Sequence, residues 1–116
     1  MEKLTIYQKP TCTTCRKLKN ELEERGVRFE NVDYFLTPLP EKKILELIRK
    51  SGDAPEIFLR KKEPKYKELN LDKKTLDAAT VAALLVKHPE LMERPIAERG
   101  AKAVVARPIE RVRELF

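Results

Sequence analysis

The chain of 116 residues carries 25 Lys and Arg against 19 Asp and Glu, a formal net charge of +6 with the two signs interspersed. That length predicts one domain over residues 1–116, with a sizeable core and no room for a second one. No apolar run approaches the ~20 residues of a membrane span, no secretory signal opens the chain, and no basic run with interleaved aromatics marks a nucleic-acid face. Two closely spaced cysteines without an export signal point to a reducing cytoplasm, and the positive field favours small anionic substrates.

Leu4-Thr5-Ile6-Tyr7 has the β-branched and aromatic content of a buried strand. Next comes Gln8-Lys9-Pro10-Thr11-Cys12-Thr13-Thr14-Cys15-Arg16, and then Leu18 and Leu22 recur at helical spacing until Gly26 ends the helix. Cys12 therefore falls at a helix start, where free N–H groups and the helix dipole favour an anion. Its thiol is expected below the ordinary value of about 8.5, with Lys9 and Arg16 adding positive charge. Cys15, one turn along, can attack a disulfide or adduct formed at Cys12. Strand, Cys-x-x-Cys and helix together form a redox signal. A zinc half-site and a pair of inert buried cysteines are the other readings. Against zinc stands the ligand count: a structural site takes about four protein ligands, and the chain has two Cys and one His.

Arg28 to Tyr34 reads as a second strand, parallel to the first across the helix. Thr37-Pro38-Leu39-Pro40 breaks the chain, and Ile44, Leu45, Leu47 and Ile48 give a helix one apolar face up to Ser51-Gly52. Pro55 to Arg60 has no clear type, and the polar run from Lys61 to Leu71 has Tyr66 and Leu69 as anchors. Asp72 to Lys74 is a turn, and the Ala-rich segment predicts a helix over 76–87. His88-Pro89 breaks it before one more helical turn to Met92. Arg94 to Ala97 and Ala101 to Ala106 flank Gly100 as a hairpin. Pro108 opens a last helix carrying Ile109, Val112 and Leu115. The order is β-α-β, a helical insert over about 38–92, then β-β-α. That order predicts an α/β, thioredoxin-like fold, a mixed sheet flanked by helices. In this topology a proline at the start of the third strand, often cis, faces the active cysteine, and Pro95 stands in that place.

Three arginines occupy informative positions. Arg60 follows Ile57-Phe58-Leu59, while Arg94 and Arg107 each precede a proline that holds their backbone extended. Guanidinium groups bind tetrahedral oxyanions through bidentate hydrogen bonds that Lys cannot reproduce. The plainer reading of any one arginine is a solvated surface residue. The lone His88 reads as a helix-end residue before it reads as a base.

These motifs resemble the glutaredoxin-linked arsenate reductase (ArsC) family and its relatives, which include the Spx-type redox regulators of transcription. The resemblance spans the chain: Tyr7 to Arg16, Leu59-Arg60-Lys61 with Glu63-Pro64-Lys65-Tyr66, His88-Pro89, Arg94-Pro95-Ile96 and Arg107-Pro108. It implies Cys12 as the catalytic cysteine and Arg60, Arg94 and Arg107 as the oxyanion-binding arginines. The N–H groups of Thr13, Thr14 and Cys15 would assist them. It implies reduction of arsenate to arsenite through a Cys12 adduct, with glutathione or another thiol as reductant, glutaredoxin or a similar dithiol protein as partner, and no bound cofactor or metal. Cys15 is the candidate resolving thiol. Two departures stand out: Gln8-Lys9 replaces the reductases' His-Asn, and Cys15 replaces their usual serine. The Cys-x-x-Cys front resembles the regulators, whereas Arg107 resembles the reductases, and the chain stops at Phe116 without the regulators' longer tail. The alternative is therefore a redox-sensing regulator that binds RNA polymerase, switched by a Cys12–Cys15 disulfide.

Overall fold

The computed structural model describes residues 3–9 and 11–116, so Pro10 of the cysteine-bearing stretch lies outside the described residues. β1 (Leu4–Gln8) runs parallel to β2 (Phe29–Asp33), in register from Leu4 opposite Phe29 to Gln8 opposite Asp33. α1 (Thr13–Glu24) makes the crossover between them. On its other edge β1 pairs antiparallel with β3 (Ile96–Arg99), and β3 pairs antiparallel with β4 (Lys102–Val105). The sheet is mixed, ordered β2-β1-β3-β4, and has the thioredoxin-like topology expected from the element order.

Alternation along the strands divides the core between the two faces. Leu4, Ile6, Ala97 and Val104 pack with Leu18 and Leu22 of α1 and with Val112 and Leu115 near the C-terminus. Tyr7, Ile96, Ala103 and Val105 pack on the opposite face with the insert. There, α2 (Glu41–Ser51) buries Ile44, Leu47 and Ile48, and α4 (Ala78–Lys87) buries Val81, Ala82 and Leu85. α2 ends at Gly52, whose φ of +68° is left-handed, and a Cβ there would meet nothing within 4 Å. Glycine is needed at that position for the backbone conformation, not for space. Asp77 caps α4, its Oδ1 accepting the Thr80 N–H at 2.8 Å. Pro55–Phe58, the segment without a clear type, is a 3₁₀ turn, and α3 (Pro64–Glu68) buries Tyr66.

An isolated antiparallel bridge joins Leu59, in the middle of the insert, to Met92 at its C-terminal end. The Arg60 N–H donates to the Leu91 carbonyl at 2.7 Å, and the Glu93 N–H donates to the Phe58 carbonyl at 2.8 Å. This pairing brings residue 60 beside residue 93. The last helix differs from expectation in type: Ile109–Leu115 is 3₁₀. Its apolar residues recur every three positions, the period of a helix with three residues per turn. The peptide bonds before Pro95 and Pro108 are both cis.

One polar cluster under α2 was not expected from the sequence. Glu98 of β3 is buried, and its carboxylate accepts the Tyr7 hydroxyl at 2.6 Å and Lys43 Nζ at 2.9 Å, with Lys50 Nζ on the same oxygen as Lys43. Burial alone would raise the carboxyl's pKa, but Lys50, Tyr7 and Lys43 outweigh it and bring Glu98 down to about 2. A depressed carboxylate stabilises the fold fully above its ordinary value near 4.5, and that stabilisation is lost as pH falls toward about 2. Glu98→Gln should cost up to about 3 kcal/mol at pH 7, since it removes the buried carboxylate that both lysines share and leaves them only the more exposed Glu46. Urea unfolding at a series of pH values should show the gap from wild type closing below about pH 4.5. A gap constant down to pH 2 would count against this account.

Candidate active site

Cys12 is the N-cap of α1, with extended backbone (φ −79°, ψ 121°), and its Sγ accepts the Cys15 N–H at 3.3 Å. The cap role usually played by an oxygen is here filled by sulfur, which ties a first-turn N–H to the thiol. The Cys12 N–H donates to the Lys9 carbonyl at 2.9 Å, which fixes the turn leading into the helix. Both cysteines are buried and unbridged. Burial raises the Cys12 pKa, but the Cys15 thiol and N–H, together with Arg94, outweigh it and bring the thiol below its ordinary value. Cys15 moves the opposite way: burial first, then its contact with Cys12, push its thiol up. One sulfur is thus prepared as the thiolate and the other as its protonated neighbour.

The charge acting on Cys12 comes from Arg94. Lys9 and Arg16, expected to contribute, point elsewhere: Lys9 Nζ lies 4.6 Å from the centre of the Phe35 ring, and Arg16 is on the exposed face of α1. Arg94 is 9% exposed. Its guanidinium is directed at the Cys12 thiol and the Tyr34 hydroxyl, and both hold its own pKa up against burial. Tyr34 is buried, donates its O–H to the Met92 carbonyl at 3.3 Å, and is pushed up to about 12, mainly by burial and against the pull of Arg94. It therefore stays a neutral phenol that braces the guanidinium. Pro95, buried next to Arg94, immediately precedes the Ile96–Tyr7 pair of β3 and β1. The antiparallel register carries it toward the end of β1, from which the Cys12 loop departs.

Arg60 and Arg107 come together on a carboxylate. Glu93 Oε1 lies 3.3 Å from Arg60 Nη1 and 3.2 Å from Arg107 Nη1. Arg107 Nη1 also donates to the Arg94 carbonyl at 2.9 Å, so all three arginines gather about residues 93 and 94. Arg60, Arg107 and Glu93 line a cleft of about 340 Å³ together with Lys61, Lys62 and Ile57. The Nε atoms of Arg60 and Arg94 are buried with no hydrogen-bond partner among the described residues. Buried donors of this kind are rare in folded proteins and call for an acceptor. An oxyanion supplies several acceptors to paired guanidiniums.

Sequence reasoning missed Tyr34 and Glu93. Tyr34 reads as the end of a strand, and Glu93 carries no signal of its own in the sequence. Only the pairing of segments 58–60 and 91–93 reveals that Glu93 lies between two arginines. His88 is at the junction of α4 and the next 3₁₀ turn, with Nδ1 3.6 Å from Glu90 Oε1, away from this grouping.

A thioredoxin-like sheet with a thiol capping its first helix and a buried arginine turned toward that thiol defines a thiol-bearing member of that fold. The chain belongs to the ArsC family, whose model matches residues 7–115. It is 36% identical over 113 residues to the arsenate reductase of Neisseria meningitidis, covering 97% of each chain. The structure of the arsenate reductase from Vibrio cholerae superimposes with a TM-score of 0.89 at 31% identity, covering 99% of this chain and 98% of that one. The global transcriptional regulator Spx of Listeria innocua is 31% identical over 93 residues, 80% of this chain and 71% of the regulator.

If Arg94 and the helix start set the acidity of Cys12, alkylation at pH 6 should modify Cys12 and leave Cys15 nearly untouched. Rates measured against pH in single Cys→Ser variants test this. In Arg94→Ala the Cys12 inflection should move to higher pH. An unmoved inflection would show that the guanidinium does not act on the thiolate.

Proposed function

We propose that the protein is a thiol-dependent reductase of arsenate. The observation that carries this reading is the buried Arg94, which faces Cys12 and keeps an unpaired Nε, beside the equally unpaired Nε of Arg60. Arg60, Arg94 and Arg107 hold the oxyanion, with the N–H groups of Thr13 and Thr14 at the helix start. The Cys15 N–H, expected to join them, is directed at Cys12 Sγ in the resting site and helps the thiolate instead.

The Cys12 thiolate attacks arsenic and an As–O bond breaks; that oxygen keeps its own proton, takes a second from solvent and leaves as water. The product is a Cys12–S–As adduct, still As(V). A second thiol then attacks Cys12 Sγ, the S–As bond breaks, and its electron pair stays on arsenic, which leaves as arsenite. The two electrons come from the two thiols, which are now joined as a disulfide. Glutathione is the second thiol in one route, with glutaredoxin restoring Cys12 by exchange; Cys15 is the second thiol in the other. Mass spectrometry after one turnover without added thiol separates them, since a Cys12–Cys15 bond assigns Cys15. This chemistry belongs to a reducing cytoplasm, where free thiols persist. Among the described residues no helix is long and apolar enough to cross a membrane.

The contact of Cys12 with Cys15 favours one other reading, a disulfide-switched regulator that binds RNA polymerase. The reductase reading requires arsenate-dependent NADPH oxidation, coupled through glutathione and glutaredoxin. Cys12→Ser should abolish it. Each of Arg60→Ala, Arg94→Ala and Arg107→Ala removes charged hydrogen bonds worth ~1.5–3 kcal/mol and should lower kcat/KM roughly 10- to 100-fold. Arg→Lys should remain impaired, because the fork is lost although the charge is kept. Absence of turnover with every thiol donor, together with tight polymerase binding that survives Arg60→Ala and Arg107→Ala, would establish the regulator instead.

A further inference from the structure

The cleft between Arg60 and Arg107 already contains an anion supplied by the chain. Three donors converge on Glu93 Oε1: Arg60 Nη1 at 3.3 Å, Arg107 Nη1 at 3.2 Å and the Arg94 N–H at 3.2 Å. Two guanidiniums and a backbone N–H around one oxygen form the kind of donor set that receives an oxyanion. All three distances exceed the about 2.7–2.9 Å of a well-made charged hydrogen bond. The tether explains the looseness. The Glu93 N–H is held on the Phe58 carbonyl and its chain leads directly into Arg94 and Pro95, so the carboxylate cannot advance further between the two forks. Arg60 Nε remains without a hydrogen bond, and its nearest carboxylate oxygen, Glu63 Oε1, is 3.7 Å away.

We propose that Glu93 is a resident competitor for the oxyanion seat: a tethered carboxylate that holds Arg60 and Arg107 together until a doubly charged tetrahedral oxyanion displaces it. This rests on reading the arginine cleft as an oxyanion site. A carboxylate tied at poor distances resists a singly charged anion, which would replace one negative charge with another and gain little. A dianion with three or four oxygens brings a second charge and more acceptors, including some for the unpaired Nε atoms. Glu93 thereby raises the concentration of any anion needed for occupancy, a threshold that a dianion with more acceptors passes sooner. The displaced side chain has Lys61 and Lys62 on the wall of the same cleft to turn toward.

Inorganic phosphate is a suitable probe, being tetrahedral, doubly charged near neutrality and inert toward thiols. Calorimetric titration of the reduced protein at fixed ionic strength should show Glu93→Gln binding phosphate about tenfold tighter than wild type. That is the scale expected for releasing two partly exposed ion pairs. Glu63→Gln, which removes a carboxylate from the neighbourhood of Arg60 alone, should change the affinity by less than about threefold. Formate, which must displace the same carboxylate, should tighten in Glu93→Gln by a similar factor from a much weaker starting affinity. Affinity in Glu93→Gln that is equal to wild type or weaker would overturn the proposal, since Glu93 would then serve to position the two forks. Should that variant fail to fold, carboxylate ¹³C resonances of the wild type give a second measurement. The Glu93 signal must move in step with phosphate saturation, and a stationary signal would also overturn the proposal. Failure of both proteins to bind phosphate removes the oxyanion reading and the role of Glu93 together. Tighter phosphate binding in Glu93→Gln, without arsenate turnover in wild type, keeps the role of Glu93 and removes only the reductase.

Discussion

A guanidinium taken out of water is costly unless something nearby carries or accepts its charge. Arg94 is buried at the junction of the insert with β3, and its guanidinium faces the Cys12 thiol and the Tyr34 phenol. Tyr34 is held neutral and Arg94 helps bring the Cys12 pKa down, so the negative partner the guanidinium favours is a Cys12 thiolate. Each group then favours the charged form of the other, and the site is most stable in the state that reacts. The helix start contributes on the same side, through the Cys15 N–H on Cys12 Sγ. Neither effect involves Gln8 or any other neighbouring base, because the arginine and the helix start act on the thiol directly.

The rest of the fold holds these two groups in place. Cys12 leaves the end of β1 and Arg94 leads into β3, two strands that pair antiparallel from Tyr7 opposite Ile96 to Leu4 opposite Arg99. Behind them the Tyr7 hydroxyl reaches the Glu98 carboxylate across the same two strands, and α2 closes the cluster with Lys43 and Lys50. A one-residue slip of β3 on β1 would turn Glu98 into the apolar face with Leu4 and Ile6, without a lysine to meet it. The cluster thus penalises wrong register at the strand pair that sets the distance between thiol and guanidinium. On the outer side, the Leu59–Met92 bridge does similar work for Arg60 and Glu93.

What could be read from the sequence follows from how local the cause is. The first strand, the cysteine turn and α1 are set by neighbours in the chain, as is the left-handed end of α2 at Gly52. The cysteines and the three arginines are chemically conspicuous types at marked positions, two of them before prolines. Glu98, Tyr34 and Glu93 were invisible for the opposite reason. Each gains its meaning from a partner dozens of residues away: Glu98 from Lys43 and Lys50, Tyr34 from Arg94, and Glu93 from Arg60. The terminal 3₁₀ helix lies between these cases. Ile109, Val112 and Leu115 repeat every third residue, a spacing that an α-helix also accepts on one face, so the pattern alone does not fix the tighter winding.

The charges of the site form two closed pairings of different depth. The inner one, Arg94 with the Cys12 thiolate, is buried and shielded from salt, while Arg107 in the outer one is 40% exposed along its side chain. Screening falls mainly on the outer pairing, where the Debye length near physiological salt is about 8 Å. Dissolved ions therefore meet the outer pairing, which lines the cleft, whereas Arg94 and Cys12 lie buried. The arrangement suits a thiolate that must stay charged without being exposed. The positive charge along the cleft is carried by Arg60, Arg107, Lys61 and Lys62, and the lowered pKa of the sulfur is owed to Arg94 and the Cys15 contacts. Dividing the charges in this way lets the outer ones change without disturbing the thiol, because Arg60 and Arg107 meet Glu93 while Arg94 acts on Cys12.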